Sequence, residues 1–262
     1  MNRNFGAWLA MPVIVYLTVL FLVPCSIVLG YSLLARDFHG GVEWAFSWDA
    51  WRQATDGITL RVLARTLCVA CGVTFVTALF AYPCAAVLAR LPAGRRQMLV
   101  VLVSFPLITS LLLRTYGWMH LLPASLRGNV WGVWIVLAFN YLPFMILPLL
   151  KAYERADTLL VQAALDLGAT PWQAFWRITW PLTRPGLAAG AALVFIPVMG
   201  EYLAPTFIGN GQVELIGMVV FNQFEQRNWP YAAACAVWLA ATVIAPLLLA
   251  LAWRSRRGEV RA

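Results

Sequence analysis

The feature that most constrains this chain is a series of long segments without a charged residue. A helix needs about 20 apolar residues to cross a hydrocarbon core of roughly 30 Å. Because 62% of the residues are hydrophobic and only 11% are charged, a soluble globular domain is excluded. The charge-free windows cover residues 4–35, 66–89, 97–113, 128–150, 185–200 and 228–253. They predict an all-α integral membrane protein, with one domain over residues 1–262 and six transmembrane helices at about 7–34, 62–89, 97–122, 129–150, 185–208 and 231–253.

Two of these windows are short, and each crossing becomes long enough only by including a charge. The third is extended past Arg114 and the fifth past Glu201, so both charges are expected near or inside the membrane. Such residues are costly and mark functional hypotheses. One interpretation is a structural ion pair between Arg114 and Glu201. The other places Glu201, with Tyr202 and Tyr116, along a solute pathway where a carboxylate and π faces attract a cation.

The distribution of charge predicts the orientation. Six crossings put both termini on one side, which then carries twelve basic and four acidic residues, whereas the other side carries seven of each. Cytoplasmic loops carry the excess of positive charge, so the N and C termini are expected in the cytoplasm. The first apolar run is longer than that of a secretory signal and is expected to remain as an uncleaved span. The pI of 9.7 reflects this asymmetry and does not indicate nucleic-acid binding.

The cysteines and the outer loops offer weaker signals. All five cysteines fall inside predicted spans, and with only two histidines in the chain no metal site or disulfide is expected. Residues 36–60 contain three tryptophans and predict an amphipathic helix at the headgroup level, or contact with an external partner. Residues 209–230 predict a polar outer loop.

The most informative polar segment is the loop from Lys151 to Arg184, between the fourth and fifth spans. Asp157 is expected to cap a helix that ends at Gly168, and Thr170 with Pro171 is expected to start another. Pro181 and Pro185 are expected to end this second helix. The first helix carries an apolar stripe of Leu160, Ala163, Ala164 and Leu167, and the second places Trp172, Phe175, Trp176 and Thr179 on one side. This pattern alone fits either a docking element or an ordinary interfacial amphipathic helix.

A resemblance favours docking. Residues 162–168, with Phe175, Ile178, Pro181 and the Pro185-Gly186 pair, resemble the cytoplasmic EAA loop of ABC importer permeases. Four further stretches are similar to the spermidine/putrescine-type permease subunits: residues 113–118 (LRTYGW), 141–148 (YLPFMILP), 195–202 (FIPVMGEY) and 228–230 (NWP).

The resemblance implies a transport subunit of a bacterial inner membrane that works by alternating access and contains no catalytic or metal-binding residue. The implied solutes are putrescine and spermidine, with another small amine or amino-acid-like solute as the alternative, and an ion-coupled carrier as a weaker one. The implied partners are a second permease subunit, two cytoplasmic ATPase subunits that bind ATP and Mg, and an external solute-binding protein. The residues implied in ATPase coupling are Gln162, Ala163, Ala164, Asp166, Gly168, Ala169, Phe175, Arg177 and Pro181.

Two details qualify this expectation. The family usually has glutamate where this chain has Gln162, so an ion pair from that position is lost and Arg155, Asp166 or Arg177 would supply the charge contact. ATP hydrolysis by the chain itself is not expected, because its only lysine, Lys151, is not part of a phosphate-binding Gly-x-x-x-x-Gly-Lys loop. Hydrolase motifs of the His-Glu-x-x-His or Gly-x-Ser-x-Gly type are also absent from the sequence.

Overall fold

The structure is a computed structural model that describes residues 3–155 and 158–258, and most of this part of the chain is helical. The helices are α1 (Arg3–Tyr31), α2 (Asp49–Ala54), α3 (Gly57–Ala89), α4 (Ala93–Ile108), α5 (Leu111–Leu121), α6 (Val130–Arg155), α7 (Thr158–Asp166), α8 (Pro171–Ala174), α9 (Trp180–Met199), α10 (Leu203–Ile208), α11 (Ile216–Glu225) and α12 (Trp229–Gly258). The strands are β1 (Leu34–Arg36) and β2 (Val42–Phe46).

Several helices are long and apolar enough to cross a membrane. Four qualify in the described part of the chain: Met11–Tyr31, Gly57–Ala89, Val130–Arg155 and Pro171–Met199. The bent pair α4 and α5 qualifies as a fifth if it is one span, and Trp229–Ala245 is a shorter apolar helix. The predicted helical multi-pass architecture is therefore confirmed, and the count of six spans stays a prediction.

The third predicted span, residues 97–122, is wrong as a single helix. It consists of α4 and α5, whose axes are bent by 96°. The Thr109 hydroxyl donates to the carbonyl of Pro106 at 3.0 Å, the carbonyl that a continuing helix would pair with the Ser110 N–H. Thr109 is extended, with φ of −86° and ψ of 146°, so the helix ends there and α5 restarts after Ser110.

The boundaries of the fifth predicted span, residues 185–208, are also wrong at both ends. Helical structure runs through Pro181 and Pro185 without ending, since a π-helical turn at Phe175–Thr179 leads directly into α9 at Trp180. Membrane helices also tolerate an interior proline such as Pro185. At the other end α9 stops at Met199, and α10 begins at Leu203.

Two segments that were predicted as outer loops contain more structure than the sequence predicts. Residues 36–60 hold part of an antiparallel hairpin, in which Leu34 pairs with Phe46 and Arg36 with Val42, followed by the short helix α2. The hairpin turn uses Gly40 and Gly41 at φ of 86° and 111°, a conformation that glycine adopts readily. In place of one amphipathic helix the segment holds strand residues, the short helix α2 and the first turn of α3, and the fold is not purely helical. Residues 209–230 contain helix α11.

The chain divides into two compact units, Met1–Leu63 with Val219–Ala262, and Ala64–Met218. In the first, the rings of Tyr31 and Trp229 stack at 6.1 Å between centroids, and the hydroxyls of Thr59 and Tyr231 are 2.8 Å apart. The second unit contains both candidate sites that are described below.

The core of the second unit is the close packing of α6 against α9. Gly186 and Gly190 face α6, where a Cβ on Gly190 would meet the Met145 sulfur at 2.7 Å and one on Gly186 would meet the Pro148 carbonyl at 2.8 Å. Small residues spaced by four bring membrane helices into close contact. The contact buries Val133, Leu137, Met145, Leu149, Val194 and Val198 completely.

Candidate coupling segment and transmembrane polar cluster

The segment from α7 to the start of α9, here named the coupling segment, turns sharply at Gly168. Gly168 has φ of 84°, and its N–H donates to the Leu165 carbonyl at 2.9 Å. The Ala169 N–H donates to the Ala164 carbonyl, also at 2.9 Å. These two bonds form a Schellman motif, which satisfies the last carbonyls of a helix. The predicted end of the helix at Gly168 is confirmed, whereas the Asp157 cap lies outside the described residues.

The next helix begins with a reciprocal capping box. Gln173 donates its N–H to the Thr170 hydroxyl at 3.3 Å, and its side-chain oxygen accepts the Thr170 N–H at 3.0 Å. Pro171 occupies the first turn, so the predicted start at Thr170 and Pro171 is confirmed. Local hydrogen bonds therefore satisfy both the end of α7 and the start of α8, and the rigid turn between them, around Gly168, is here named the elbow.

A π-helical turn, Phe175–Thr179, then joins α8 to α9. Its extra residue per turn shifts the following side chains around the helix axis. The aromatic residues form a continuous series, with ring centroids 5.6 Å apart for Trp172 and Trp176 and 5.7 Å apart for Trp176 and Trp180. Trp172, Trp176 and Trp180 thus form an aromatic stripe that extends into α9, whereas Phe175, which was predicted on the same side, also contacts Tyr82 of α3.

The inner face of the coupling segment packs on α3 and α6. Tyr82 of α3 lies at the centre of this contact, with its hydroxyl 2.8 Å from that of Thr183 and its ring 5.4 Å from that of Tyr153. Its ring also contacts Phe175 at 6.1 Å. A cavity of about 400 Å³ lies beside these contacts and is lined by Tyr82, Ala86, Arg90, Tyr153, Val161, Leu165, Pro171, Ala174, Phe175 and Thr179. Movement of the elbow would therefore act on three long helices.

The outer face of the coupling segment carries apolar side chains that the described part of the chain leaves exposed. Leu167 is 89% exposed and Trp172 is 68% exposed. A cluster of exposed apolar residues of this kind is typical of a protein or membrane contact. Among the predicted coupling residues, Ala164, Ala169 and Phe175 are half-buried, and the exposed ones are Gln162, Ala163, Asp166, Gly168, Arg177 and Pro181.

A second polar site, here named the polar cluster, lies where α9 and α10 are separated. Glu201 is 5% exposed, and its carboxylate accepts the Tyr141 hydroxyl at 2.7 Å and the Leu203 N–H at 3.0 Å. The first turn of α11 packs on the same break, since a Cβ on Gly217 would meet the Gly200 carbonyl at 2.5 Å. A buried carboxylate is costly unless it is hydrogen-bonded in this way.

Arg114 belongs to the same region but does not pair directly with Glu201. Among the described residues, no ion pair within 4.0 Å joins the two side chains, so the predicted direct ion pair is wrong. Arg114 instead donates from Nη1 to the backbone carbonyl of Asn140 at 3.3 Å. Because α6 packs directly on α9, Tyr141 of α6 lies beside the Glu201 carboxylate. The Arg114 Nε and the side-chain amide of Asn140 are buried without a hydrogen-bond partner in the described part of the chain.

The two tyrosines predicted with Glu201 are found on either side of the helix breaks. Tyr116 is 43% exposed, and its ring lies 4.7 Å from that of Phe207 in α10. Tyr202 is half-buried and directly follows Glu201. The structure thus brings α5, α6 and α10 together around the break, and a role of these side chains in a solute pathway stays a prediction.

Comparison with known proteins identifies the family. Residues 74–256 match the binding-protein-dependent transport system inner membrane component family. This chain belongs to that family. The resemblance to ABC importer permeases is confirmed, and the protein is a multi-pass component of an inner membrane.

Individual relatives agree with this assignment of the chain to its family. The spermidine/putrescine transport system permease protein PotB of Salmonella typhimurium is 33% identical over 261 residues, which cover 92% of this chain and 90% of the relative. PotB of Haemophilus influenzae is 31% identical, with 98% and 96% covered. The fold is similar to a chain of a bacterial alginate ABC transporter solved in complex with an alginate pentasaccharide-bound periplasmic protein, with a TM-score of 0.67, 13% identity, and 95% and 93% covered.

Several residues of this inner membrane component were not singled out from the sequence. Gln173 had a usable signal, because Thr-x-x-Gln is a capping-box pattern. Gly190 forms a Gly-x-x-x-Gly pattern with Gly186, which the resemblance had named, and this pattern indicates close helix packing. Tyr82, Thr183 and Asn140 had no local signal, because their contacts join residues that are far apart in the chain.

Proposed function

We propose that this chain is the transmembrane permease subunit of an ATP-driven importer that moves polyamines, such as putrescine and spermidine, into the cytoplasm. The observation that carries the proposal is the identity of 33% and 31% with two permeases named for spermidine and putrescine, over more than nine-tenths of the chain. The proposed domain is a single six-span permease domain with both termini in the cytoplasm. The alternative solute is another small amine.

The coupling segment is proposed to bind a cytoplasmic ATPase subunit. Its outer apolar face, with Ala163, Leu167 and Trp172 exposed, supports this role, because aromatic and small residues make close protein contacts. An amphipathic helix that lies flat on the membrane would also bury such a face among the lipid headgroups. The elbow at Gly168 instead divides the segment into two short helices, so the segment does not have one continuous apolar surface. The proposed contact residues are those named above from Gln162 to Pro181.

The proposed mechanism is alternating access that is driven from this segment. The ATPase partner binds ATP and Mg, and its closure pushes the elbow. Because Tyr82 contacts α6, the π-helical turn and α9 together, the push is passed to the spans as a rigid movement rather than absorbed locally. No step of hydrolysis is assigned to this chain. A solute-binding protein and a second permease subunit complete the proposed assembly, and the fold neighbour was solved with a periplasmic protein.

The polar cluster is proposed to border the solute pathway. It lies at two interruptions of apolar helices, and irregular backbone at membrane depth is tolerated where it is enclosed by protein or lines a cavity. Glu201 supplies the negative charge that suits an ammonium group, Tyr116 and Tyr202 supply π faces, and Arg114 limits the net charge of the site. Glu201→Gln is expected to reduce uptake.

The test is uptake by the complete transporter in proteoliposomes. The chain is reconstituted with the proposed second permease, ATPase and solute-binding protein, and labelled putrescine and spermidine are supplied outside. The proposal predicts accumulation that requires internal ATP and the binding protein. Accumulation that follows an imposed ion gradient without ATP would contradict the importer, and ATP-dependent uptake of an unrelated solute alone would contradict the polyamine assignment.

A further inference from the structure

A cavity of about 650 Å³ opens at the end of α6 that is nearest the coupling segment. It lies between α4 and α6, with Leu193 of α9 at one side. The cavity, here named the α6 groove, is lined by Ala93, Arg96, Gln97, Val100, Phe144, Leu147, Pro148, Leu150, Lys151, Glu154 and Leu193. Neither the coupling residues nor the polar cluster belong to it.

The α6 groove has an apolar interior and a charged mouth. Val100 and Phe144 lie about 10 and 16 Å along their helices from the ends at Ala93 and Arg155, given a rise of about 1.5 Å per residue. The charged lining residues, Arg96, Lys151 and Glu154, all lie within two turns of those ends. The groove therefore changes from charged near the ends of α4 and α6 to apolar further along both helices.

The mouth has an excess of positive charge. Glu154 accepts a hydrogen bond from the Lys151 ammonium at 2.9 Å and pairs with the Arg96 guanidinium at 3.5 Å, so one carboxylate faces two cations. The first turn of α4 adds partial positive charge, because it contains no acidic residue and no side-chain cap. The Lys151 side chain is 73% exposed and remains accessible to a further anion.

A second, smaller cavity continues this surface on the other side of Lys151. It has a volume of about 340 Å³ and shares Pro148 and Lys151 with the α6 groove. Its remaining described lining is Ala152, Arg155, Leu182, Pro185, Gly186 and Ala189, in which the one charged residue is a further arginine. Lys151 thus stands between two apolar clefts, with a cation on each side.

We propose that the α6 groove binds an anionic phospholipid from the leaflet at this end of α6. The phosphate sits against Arg96 and Lys151, and an acyl chain fills the apolar interior towards Phe144 and Leu193. Basic pockets between membrane helices are typical sites for anionic headgroups. A soluble anion would leave the apolar interior exposed, and a purely apolar helix of a partner protein would leave the excess positive charge at the mouth uncompensated.

The test is photo-crosslinking on the assembled transporter in nanodiscs of phosphatidylcholine. A small fraction of the lipid is either phosphatidylglycerol or phosphatidylcholine with a diazirine on the acyl chain, and the labelled peptides are read by mass spectrometry. The proposal predicts that phosphatidylglycerol labels residues around Val100, Phe144 and Leu193 well above phosphatidylcholine. Equal labelling by the two lipids, or no labelling of these residues, would overturn it.

Matched variants separate a built site from general surface charge. Lys151→Gln and Arg96→Gln are each expected to lower the labelling by phosphatidylglycerol about fivefold, since a basic residue near the surface contributes about 1 kcal/mol. Arg95→Gln removes the same charge from the neighbouring exposed position outside the lining and is expected to retain labelling. An equal loss in Arg95→Gln would contradict a specific site.

Two further variants address the interior and the acidic residue. Leu193→Trp fills the apolar end without changing the charge and is expected to abolish labelling near Phe144. Glu154→Gln retains both Arg96 and Lys151 and is expected to keep or increase the labelling by phosphatidylglycerol. A loss of labelling in this variant would contradict the proposed charge balance. None of these outcomes depends on the solute, so the lipid site and the importer function can fail separately.

Discussion

The coupling segment and the polar cluster both interrupt long helices, but the interruptions are stabilised in opposite ways. At Gly168 the freed backbone groups bond to neighbours within six residues, through a Schellman motif and a capping box. At Glu201 one local bond, from the Leu203 N–H to the carboxylate, is joined by long-range contacts with Tyr141, 60 residues earlier in the chain, and with Gly217. The first interruption is coded locally, and the second depends on how the helices pack.

The two regions also differ in what they leave uncovered. The coupling segment exposes apolar side chains such as Leu167 and Trp172, whereas the polar cluster buries Glu201 and Asn140 and retains polar atoms without partners in the described part of the chain. An exposed apolar face is stabilised by a partner protein, and a buried polar group is stabilised within the fold. Changes in the first region should therefore affect assembly and transport, and changes in the second should affect folding first.

The largest effect is expected from Ala163→Arg. Ala163 is exposed in the chain alone, so the variant should fold normally, with a change in stability within about 0.5 kcal/mol. At a closed interface an unpaired arginine costs several kcal/mol, so ATP-driven uptake should fall by more than about tenfold. Uptake in proteoliposomes and the yield of monodisperse protein measure the two effects.

The matched control is Gln226→Arg, which adds the same charge at an exposed position outside the coupling segment. It should leave uptake unchanged. Normal uptake by Ala163→Arg would mean that the exposed apolar face has no partner, and the contrast between the two regions would lose its functional meaning.

The next largest effect is expected from Tyr141→Phe. The variant removes a 2.7 Å hydrogen bond to a buried carboxylate, which should cost about 2 kcal/mol. A lower apparent melting temperature of the purified transporter would show it. Tyr116→Phe is the control, since it preserves the ring contact with Phe207, and it should leave the melting temperature unchanged. Equal stability of wild type and Tyr141→Phe would contradict long-range support of the break.

Local coding explains which parts of the molecule could be predicted. Apolar run length predicted the membrane helices, and Gly168, Thr170 and Pro171 predicted the elbow, because each of these signals acts within a few residues. The bend at Thr109 was not predicted. There the Thr109 hydroxyl, rather than the next backbone N–H, donates to the Pro106 carbonyl, and composition does not reveal this hydrogen bond. One of the two interpretations paired Glu201 with Arg114 by charge, whereas helix packing brought the Tyr141 hydroxyl to the carboxylate.

A smaller effect is expected from Gly168→Ala. There is open space for the added Cβ, so the cost comes from the backbone alone, at about 1 kcal/mol for a left-handed conformation. Uptake should fall severalfold while the melting temperature changes little, because the strain acts on an exposed turn. Gly211→Ala is a matched control, with φ of 76° and equally open space, and it should leave uptake unchanged. If both variants lose uptake equally, the elbow has no special role.

The smallest effect is expected from Tyr82→Phe. It removes the contact between the Tyr82 and Thr183 hydroxyls and keeps the ring contacts, at a cost of about 0.5–1.5 kcal/mol. If the contact passes movement to the spans, the ATPase activity of the transporter should be less stimulated by the solute-loaded binding protein, with little change in basal hydrolysis. Full stimulation would show that the ring contacts suffice.

Site-directed crosslinking tests the central claim most directly. The five native cysteines are replaced, Ala163→Cys is introduced, and the assembled transporter is treated with a short thiol crosslinker while polyamine uptake is measured in parallel. The account predicts that this position captures the ATPase subunit and that capture stops ATP-driven uptake. Normal solute entry with no ATPase captured from this position would contradict it.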